Sequence, residues 1–319
     1  MARGTKVALI ATAVAASTAM MAPRDAAAAE WSQTELHFQY GKLDNPYTGT
    51  KDWTPILTVE HMSGYSWGDI YFFIDGIDDG TTDGFNDKDA YGEVYAFFSS
   101  AKLLGAQYNG LVKDVGAFTS INYGADSGYL AYLVGAYVDW NVKGFSFLRS
   151  YVAARFDDSD FNEQNGWHAD VWWNAPFEIG SQRFSFLGHF EYMSQERNDF
   201  GPTHDWWLAQ PQLRWYAGYA FTGKKDVFFL GTEYQLWINK LGCETDESAC
   251  GPFFAPFPAR ALRPRGASRG AGARGLQVSL CGRYAGRARQ RESALIPDHQ
   301  HAIYECNIHY TDTKGRRWD

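Results

Sequence analysis

The sequence has little of three things: long apolar runs, cysteine and, over most of its length, basic residues. After residue 29 no stretch approaches the roughly 18 uncharged apolar residues that a transmembrane helix needs, so no helical membrane anchor is predicted. The four cysteines, Cys243, Cys250, Cys281 and Cys306, are too few for a disulfide scaffold in a chain of 319 residues. Cys243 and Cys250 would nevertheless close a small loop.

Basic residues are scarce between residues 30 and 250, where 14 Lys and Arg stand against 31 Asp and Glu, a net charge of −17. This balance argues against nucleic-acid binding, which needs a basic surface. The same range holds 46 of the 53 aromatic residues, a content typical of proteins at a membrane interface. Residues 251–319 carry a net charge of +7, so the composition divides the chain into two parts of different origin or role.

The first 29 residues have the pattern of a secretory signal peptide. A basic start at Arg3 and Lys6 precedes an alanine-rich apolar stretch, and "DAAAAE" at 25–30 offers a cleavage site after Ala29. A buried helix fits less well, because Arg24 and Asp25 adjoin the alanine run. We therefore expect an exported protein whose mature chain begins near residue 30.

Residues 30–250 contain short segments in which apolar and polar side chains alternate, as in half-buried β-strands. In "GDIYFFIDG", Ile70, Phe72 and Ile74 lie on one face, whereas Asp69 and Asp75 lie on the other with two aromatic residues between them. We predict eleven such segments, at 31–40, 55–65, 67–76, 90–101, 114–122, 128–139, 144–156, 166–175, 182–194, 206–217 and 226–238.

The connections alternate between long acidic loops and short turns, which is the asymmetry of an outer-membrane barrel. The longer loops are expected at about 41–54, 77–89, 123–127, 157–165, 195–205 and 239–249. In such a barrel the apolar face contacts lipid and the mixed face lines a lumen. The alternative is a soluble β-sandwich or a lipocalin-like barrel, whose solvent face would be poor in aromatic residues. We predict an all-β fold, an antiparallel transmembrane β-barrel of 12 strands, because closed bacterial barrels have an even number of strands.

The twelfth strand is not recognisable in the sequence. Where it should follow the last acidic loop, Pro252, Pro256 and Pro258 cannot donate to a sheet, and Arg263 and Arg265 would lie at membrane depth. We therefore divide the chain into a signal peptide (1–29), a barrel (30–250) and a basic tail (251–319). The tail is interpreted as the product of a shifted reading frame or as a disordered basic segment.

Several short motifs resemble the nucleoside-specific (Tsx-type) channels of bacterial outer membranes. They are Glu60, Trp67-Gly68-Asp69, Asp75, Tyr91-Gly92-Glu93 and Lys240-Leu241-Gly242 with Asp246-Glu247, and the similarity spans about residues 31–248. The resemblance implies a twelve-stranded monomeric barrel in the outer membrane of a Gram-negative bacterium, in contact with the lipid bilayer and lipopolysaccharide. It implies passage of nucleosides, and in some members a second role as receptor for a phage or colicin.

The candidate substrate-binding residues are those whose position in the strands directs them into the lumen. Their aromatic rings would stack on bases and their polar groups would bind ribose hydroxyls, whereas the alternative for each is a solvated salt-bridge network. They are Glu35, His37, Glu60, Asp69, Tyr71, Phe73, Glu93, Tyr95, Arg149, Arg155, His168, Asp170, Arg183, His189, Glu191, Arg214 and Glu233.

No catalytic residue, cofactor or metal site is expected. The histidines lie on the charged face, no G-x-S-x-G motif accompanies them, and the acidic loop at 75–89 lacks the spacing of an EF-hand. The expected function is passive diffusion of nucleosides or similar small neutral solutes. The alternatives are a pore for other solutes, a surface receptor without selective transport, and an outer-membrane lipid enzyme.

Overall fold

The computed structural model describes residues 29–243 except 83–84, 126, 160–164, 199–200 and 224–227, together with the backbone of 274–279 and 302–310. Nearly all of this chain is β-structure. The elements are β1 (Trp31–Asp44), β2 (Lys51–Tyr65), β3 (Gly68–Ile77), β4 (Asp89–Ser99), α1 (Ser100–Leu104), β5 (Val112–Gly124), β6 (Tyr129–Trp140), β7 (Phe147–Asp157), β8 (Gly166–Ile179), β9 (Gln182–Met193), β10 (Arg197–Asn198), β11 (Gly201–Pro202), β12 (Trp206–Trp215), α2 (Ala217–Thr222), β13 (Phe228–Ile238), a 3-10 turn (Lys240–Gly242), β14 (Arg274–Ser279) and β15 (Ala302–Tyr310).

The long strands form one curled antiparallel sheet in which each strand pairs with the next one in the chain. Eleven strands, β1 to β9, β12 and β13, follow one another in this way, and β10 and β11 make a separate small hairpin. The short strands β14 and β15 both lie between β13 and β1 and close the sheet into a barrel. β15 pairs with the start of β13 and β14 with its second half, so together they fill a twelfth position.

The predicted all-β antiparallel barrel is therefore confirmed, and its eleven strands correspond one to one with the eleven predicted segments. The twelfth position is occupied by two short segments rather than by one continuous strand, and both belong to the range 251–319. The reading-frame interpretation of that range stays a prediction. The predicted signal peptide falls, apart from Ala29, outside the described residues.

The hairpin of β1 and β2 is longer than predicted. Pairing continues to Asp44 and Lys51, whose side chains also form an ion pair at 3.0 Å, so the loop covers 45–50 instead of 41–54. The carboxamide oxygen of Asn45 accepts hydrogen bonds from the backbone N–H groups of Tyr47 at 2.9 Å and Thr48 at 3.3 Å. This Asn-mediated turn lets the strands extend further, because it replaces backbone partners that a longer loop would have to supply.

At the opposite end of the barrel, two predicted strands stop early and continue as short helices. The segment predicted to reach residue 101 ends at Ser99, whose hydroxyl accepts a hydrogen bond from Lys102 N at 3.0 Å and caps α1. The segment predicted to reach residue 217 ends at Trp215, before α2. These two connections are therefore longer than the short turns expected at this end of the barrel. No helix among the described residues is long and apolar enough to cross a membrane.

The two faces of the sheet differ as the alternation predicts. On β1, Glu35 and His37 are 6% and 2% exposed, whereas Leu36 and Phe38 are 39% and 44% exposed. The apolar side chains thus cover the outside of the barrel, and the charged side chains are enclosed within it. Cys243 forms a disulfide, and the predicted partner Cys250 lies outside the described residues.

Candidate functional site: the barrel interior

The barrel encloses a cavity of about 2600 Å³. Side chains from both ends of the strands line it: Lys102 and Phe147 belong to the end that carries α1, and Tyr47 and Lys240 to the opposite end. Strand side chains alternate between the two faces, and the inward-facing residues of β2 and β3 line this wall at every second position, whereas β5 and β6 contribute residues only near their ends. The cavity therefore extends along the barrel from one rim to the other.

One part of the interior is filled by an aromatic cluster, which we define as Tyr95, Phe97, Phe118, Tyr137 and Tyr151. These side chains are buried and come from four neighbouring strands, β4 to β7. The ring centroids of Phe118 and Tyr151 are 4.6 Å apart, and those of Phe97 and Tyr137 are 5.2 Å apart at right angles. Such contacts add to burial and make this side of the barrel a packed core. The open passage lies beside this core, and β4, β6 and β7 also contribute residues to its wall, among them Tyr91, Tyr129 and Arg155.

A second set of rings lines the cavity itself and forms what we call the aromatic ladder: Trp172, Tyr71, Phe73, Tyr91 and Tyr129. Successive ring centroids are separated by 5.2, 6.2, 5.9 and 6.3 Å. Register explains the contact between Phe73 and Tyr91, because β3 pairs with β4 so that Tyr91 lies opposite Asp75 and diagonal to Phe73. The ladder places a continuous row of aromatic surface along the passage.

A carboxylate stands beside the ladder. The hydroxyl groups of Tyr91 and Tyr95 each donate to the Glu93 carboxylate at 2.5 Å, and Nδ2 of Asn122 donates to it at 2.9 Å. These residues share one strand face at i, i+2 and i+4, with Asn122 directly opposite Glu93 on β5. The group offers carboxylate, hydroxyl and amide functions next to aromatic faces, a combination suited to a flat solute that carries hydroxyl groups.

Three arginines in the wall are each held by carboxylates. Arg149 lies between Asp69 and Asp139, with its guanidinium 4.0 Å from the ring centroid of Phe97. Arg155 contacts Asp157 at 2.6 Å and also Glu196. These buried cations are matched by opposite charge, as burial requires.

The third arginine belongs to a polar region formed by β1, β12 and β13. Arg214 Nη1 donates to Glu35 Oε2 at 3.1 Å, and its guanidinium lies 4.3 Å from the ring centroid of Phe229. Nearby, the buried Glu233 carboxylate accepts hydrogen bonds from the side-chain amides of Gln210 and Gln212. This region forms the wall of the passage opposite the aromatic cluster.

The histidines of β8 and β9 pair with carboxylates. Nδ1 of His189 lies 3.2 Å from Asp170 Oδ2, and the same oxygen accepts the indole N–H of Trp172 at 2.6 Å. Nε2 of His168 lies 3.0 Å from Glu191 Oε1. The His189–Asp170 pair therefore holds the carboxylate that orients the ring of Trp172, the first ring of the ladder.

One end of the cavity is marked by Lys240 in the 3-10 turn after β13. Its ammonium group contacts the backbone oxygen of Asp44 and lies 5.3 Å and 5.4 Å from the ring centroids of Phe85 and Trp237. Burial among these groups lowers the pKa of Lys240 to about 8, because the charged form loses solvation. Asp44 opposes this shift.

Among the described residues, the cavity wall is acidic, with fifteen Asp and Glu against seven Lys and Arg. The paired arginines account for part of this charge, and a net excess of carboxylates remains. A wall of this sign favours neutral or cationic solutes over anions. Charged residues of both signs line the cavity, as the candidate residues predicted, but the acidic ones outnumber the basic ones.

Sixteen of the seventeen candidate residues line the cavity, and whether they bind a solute stays a prediction. His168 is the exception, because it lies behind Tyr151 with ring centroids 5.3 Å apart. Arg183 lies at the rim, beside Glu178 at 3.1 Å. The candidate set omits Tyr91 and Tyr129, which also line the cavity. Tyr91 shares the strand face of Glu93, which was the available signal, whereas Tyr129 lies on β6, which contributes no candidate.

Comparisons with known proteins do not assign this chain to a family. A scan against protein-family models and a search of curated proteins both gave no match. The function must therefore be argued from the barrel and its interior.

Proposed function

We propose that this protein is an outer-membrane channel for the passive diffusion of nucleosides or similar small neutral solutes. The first support is the inverted distribution of polarity, with apolar residues such as Leu57, Ile74 and Val152 about half exposed on the outer surface. A soluble barrel would leave this surface in contact with water, whereas a bilayer covers it. The eleven long strands, each of 10 to 15 residues, suffice for a tilted membrane crossing of about 9–11 residues.

The observation that carries the proposal is the aromatic ladder beside the Glu93 group. A nucleoside has a flat base and a ribose with hydroxyl groups. Base stacking on an aromatic side chain contributes about 1–3 kcal/mol in single-strand binding proteins, and carboxylate and amide groups accept or donate the ribose hydrogen bonds. Rings about 6 Å apart would let a base leave one face as it meets the next.

Passive movement along such a row needs binding that is strong enough for entry and weak enough for exit. The acidic excess of the wall supports neutral solutes and opposes nucleotides, whose phosphates are repelled. In this proposal the protein lies in the outer membrane of a Gram-negative bacterium, in contact with lipid and lipopolysaccharide. The acidic loops at the Lys240 end would face the exterior, where a phage or colicin is the further partner that the family resemblance suggests.

The test is solute flux into liposomes that contain the full chain. We expect uridine and adenosine to enter faster than a hexose, although the hexose is smaller, and the nucleoside rate to saturate with concentration. A nucleoside monophosphate should enter more slowly than its nucleoside. Equal rates for nucleoside and hexose without saturation would indicate a general pore, and no flux through a correctly folded barrel would favour the receptor function.

A further inference from the structure

We propose that the interior wall between β1 and β2 carries a site for one divalent transition-metal ion, represented by Zn²⁺, with Glu35, His37 and Glu60 as ligands. The proposal does not depend on nucleoside transport, because it rests on the ligand geometry alone. One donor atom from each residue lies within 4.8 Å of the other two. His37 Nε2 is 3.2 Å from Glu35 Oε2 and 3.2 Å from Glu60 Oε2.

Strand register brings the three ligands together. Glu35 and Glu60 are directly opposite each other on the antiparallel pair, and His37 follows Glu35 by two residues on the same face. Two ligands therefore come from one strand and the third from its neighbour. The linear sequence does not reveal this set, because Glu60 is separated from His37 by a hairpin, which is why no metal site is expected from spacing alone.

The distances suit a metal ion at the centre of the three atoms. Zinc binds His nitrogen and carboxylate oxygen at about 2.0–2.2 Å, so two ligands of a tetrahedral ion are separated by about 3.4 Å. Both measured nitrogen-to-oxygen distances, 3.2 Å, are close to that value. Small rotations of the Glu60 side chain, which is 28% exposed to the cavity, can adjust the third distance.

The donor set also selects the kind of ion. One imidazole with two carboxylates suits zinc, manganese or iron, whereas calcium and magnesium prefer oxygen ligands alone. Three protein ligands leave a fourth position, on the cavity side, for water or a solute. Glu35 is oriented by Arg214 at 3.1 Å and by the amide of Gln33, which are outer contacts of the type that hold metal-binding carboxylates in place.

The charge of the neighbourhood permits a divalent ion. Glu35, Glu60 and Arg214 together carry one net negative charge, with a second buried carboxylate, Glu233, hydrogen-bonded to Gln39 in the same wall. A metal ion in this position would therefore be partly neutralised. Arg214 sets a limit on affinity, because it competes for the same oxygen of Glu35.

The chain offers a matched control in His61. This histidine belongs to β2, one residue from Glu60, but it lies on the outer face, where Nδ1 hydrogen-bonds to Thr34 Oγ1 at 2.7 Å. Replacing it removes a histidine from the same hairpin without touching the proposed ligands. Glu60→Gln provides a second variant that keeps the side-chain volume, so the result does not depend on a variant that fails to fold.

The experiment titrates Zn²⁺ and Co²⁺ into the folded full chain in detergent, by calorimetry and by cobalt absorption. Folding of each variant is checked by circular dichroism, and any free thiol is alkylated beforehand, because Cys281 or Cys306 as a thiolate would be an alternative ligand. We expect one ion per chain, with affinity reduced at least about tenfold by His37→Ala and by Glu60→Gln, and unchanged by His61→Ala. Absence of binding, equal binding by the His37 and Glu60 variants, or an equal loss in the His61 variant would overturn the proposal.

Discussion

Arg149 on β7 binds Asp69 on β3 through two parallel hydrogen bonds, Nη1 to Oδ1 at 2.8 Å and Nη2 to Oδ2 at 3.1 Å. Three strands separate β3 from β7 in the sheet, so this pair crosses the interior of the barrel. The same guanidinium donates to Asp139 through Nε at 2.6 Å and through Nη2 at 2.9 Å. One cation thus joins parts of the wall that are four strands apart, beside the aromatic cluster.

Replacing Arg149 with alanine should destabilise the folded barrel by about 3–5 kcal/mol, because two carboxylates would remain enclosed without their cation. The unfolding free energy can be measured by urea titration in lipid vesicles with tryptophan fluorescence. The matched control is Arg183→Ala, whose partner Glu178 is 61% exposed and whose loss should cost about 0–1 kcal/mol. Equal effects of the two substitutions would show that the cross-barrel pair does not brace the fold.

Gly135 on β6 lies against the aromatic cluster and should not tolerate a side chain. A Cβ at this position would lie 2.7 Å from Cε1 of Phe118 and 2.7 Å from Cα of Ala153. We expect Gly135→Ala to cost about 1–3 kcal/mol through overpacking. At Gly76, where the nearest atom to an added Cβ is Leu57 O at 3.9 Å, the same change should be neutral or slightly stabilising. The same urea titration compares them, and similar losses would contradict the packed interior.

The strands and their faces were predictable because alternation depends only on the two-residue period of a strand. Glu35 and His37 face inward and Leu36 and Phe38 outward whatever the rest of the fold does. The ends of strands were less predictable, because they depend on local hydrogen bonds such as the cap that Ser99 gives to α1.

Contacts across the barrel could not be read from alternation. Parity directs Phe97, Tyr71 and His168 to the same side of the sheet, but it does not say which of them packs and which lines a cavity. Tyr71 lines the passage, Phe97 is fully buried, and His168 lies behind Tyr151. That distinction depends on the curvature of the closed sheet. The partners of Arg149 depend on it in the same way.

The stability of the folded chain should rise with pH between about 8 and 10.5 through Lys240. Its pKa is lowered to about 8 from the ordinary value of 10.5, so the unfolded chain binds more protons over this range. The cost of enclosing the ammonium group is full below pH 8 and disappears as both states lose the proton. Carbon-13 NMR of labelled lysine should show one Cε signal titrating near pH 8 that Lys240→Met removes. If Lys240→Met instead removes a signal that titrates above pH 10, the lowered pKa of Lys240 is contradicted.

Alanine at Tyr71 or Phe73 should raise the nucleoside concentration at half-maximal flux, because each ring supplies one stacking face of the aromatic ladder. A loss of about 1–3 kcal/mol per ring corresponds to a rise of about 5-fold to 150-fold. The control is Phe72→Ala, which removes the ring between them in the chain; Phe72 stacks on His61 at 5.1 Å on the outer face. Flux into liposomes at several uridine concentrations measures the effect. If Tyr71→Ala and Phe73→Ala leave half-saturation unchanged, or Phe72→Ala shifts it equally, the solute does not travel along these rings.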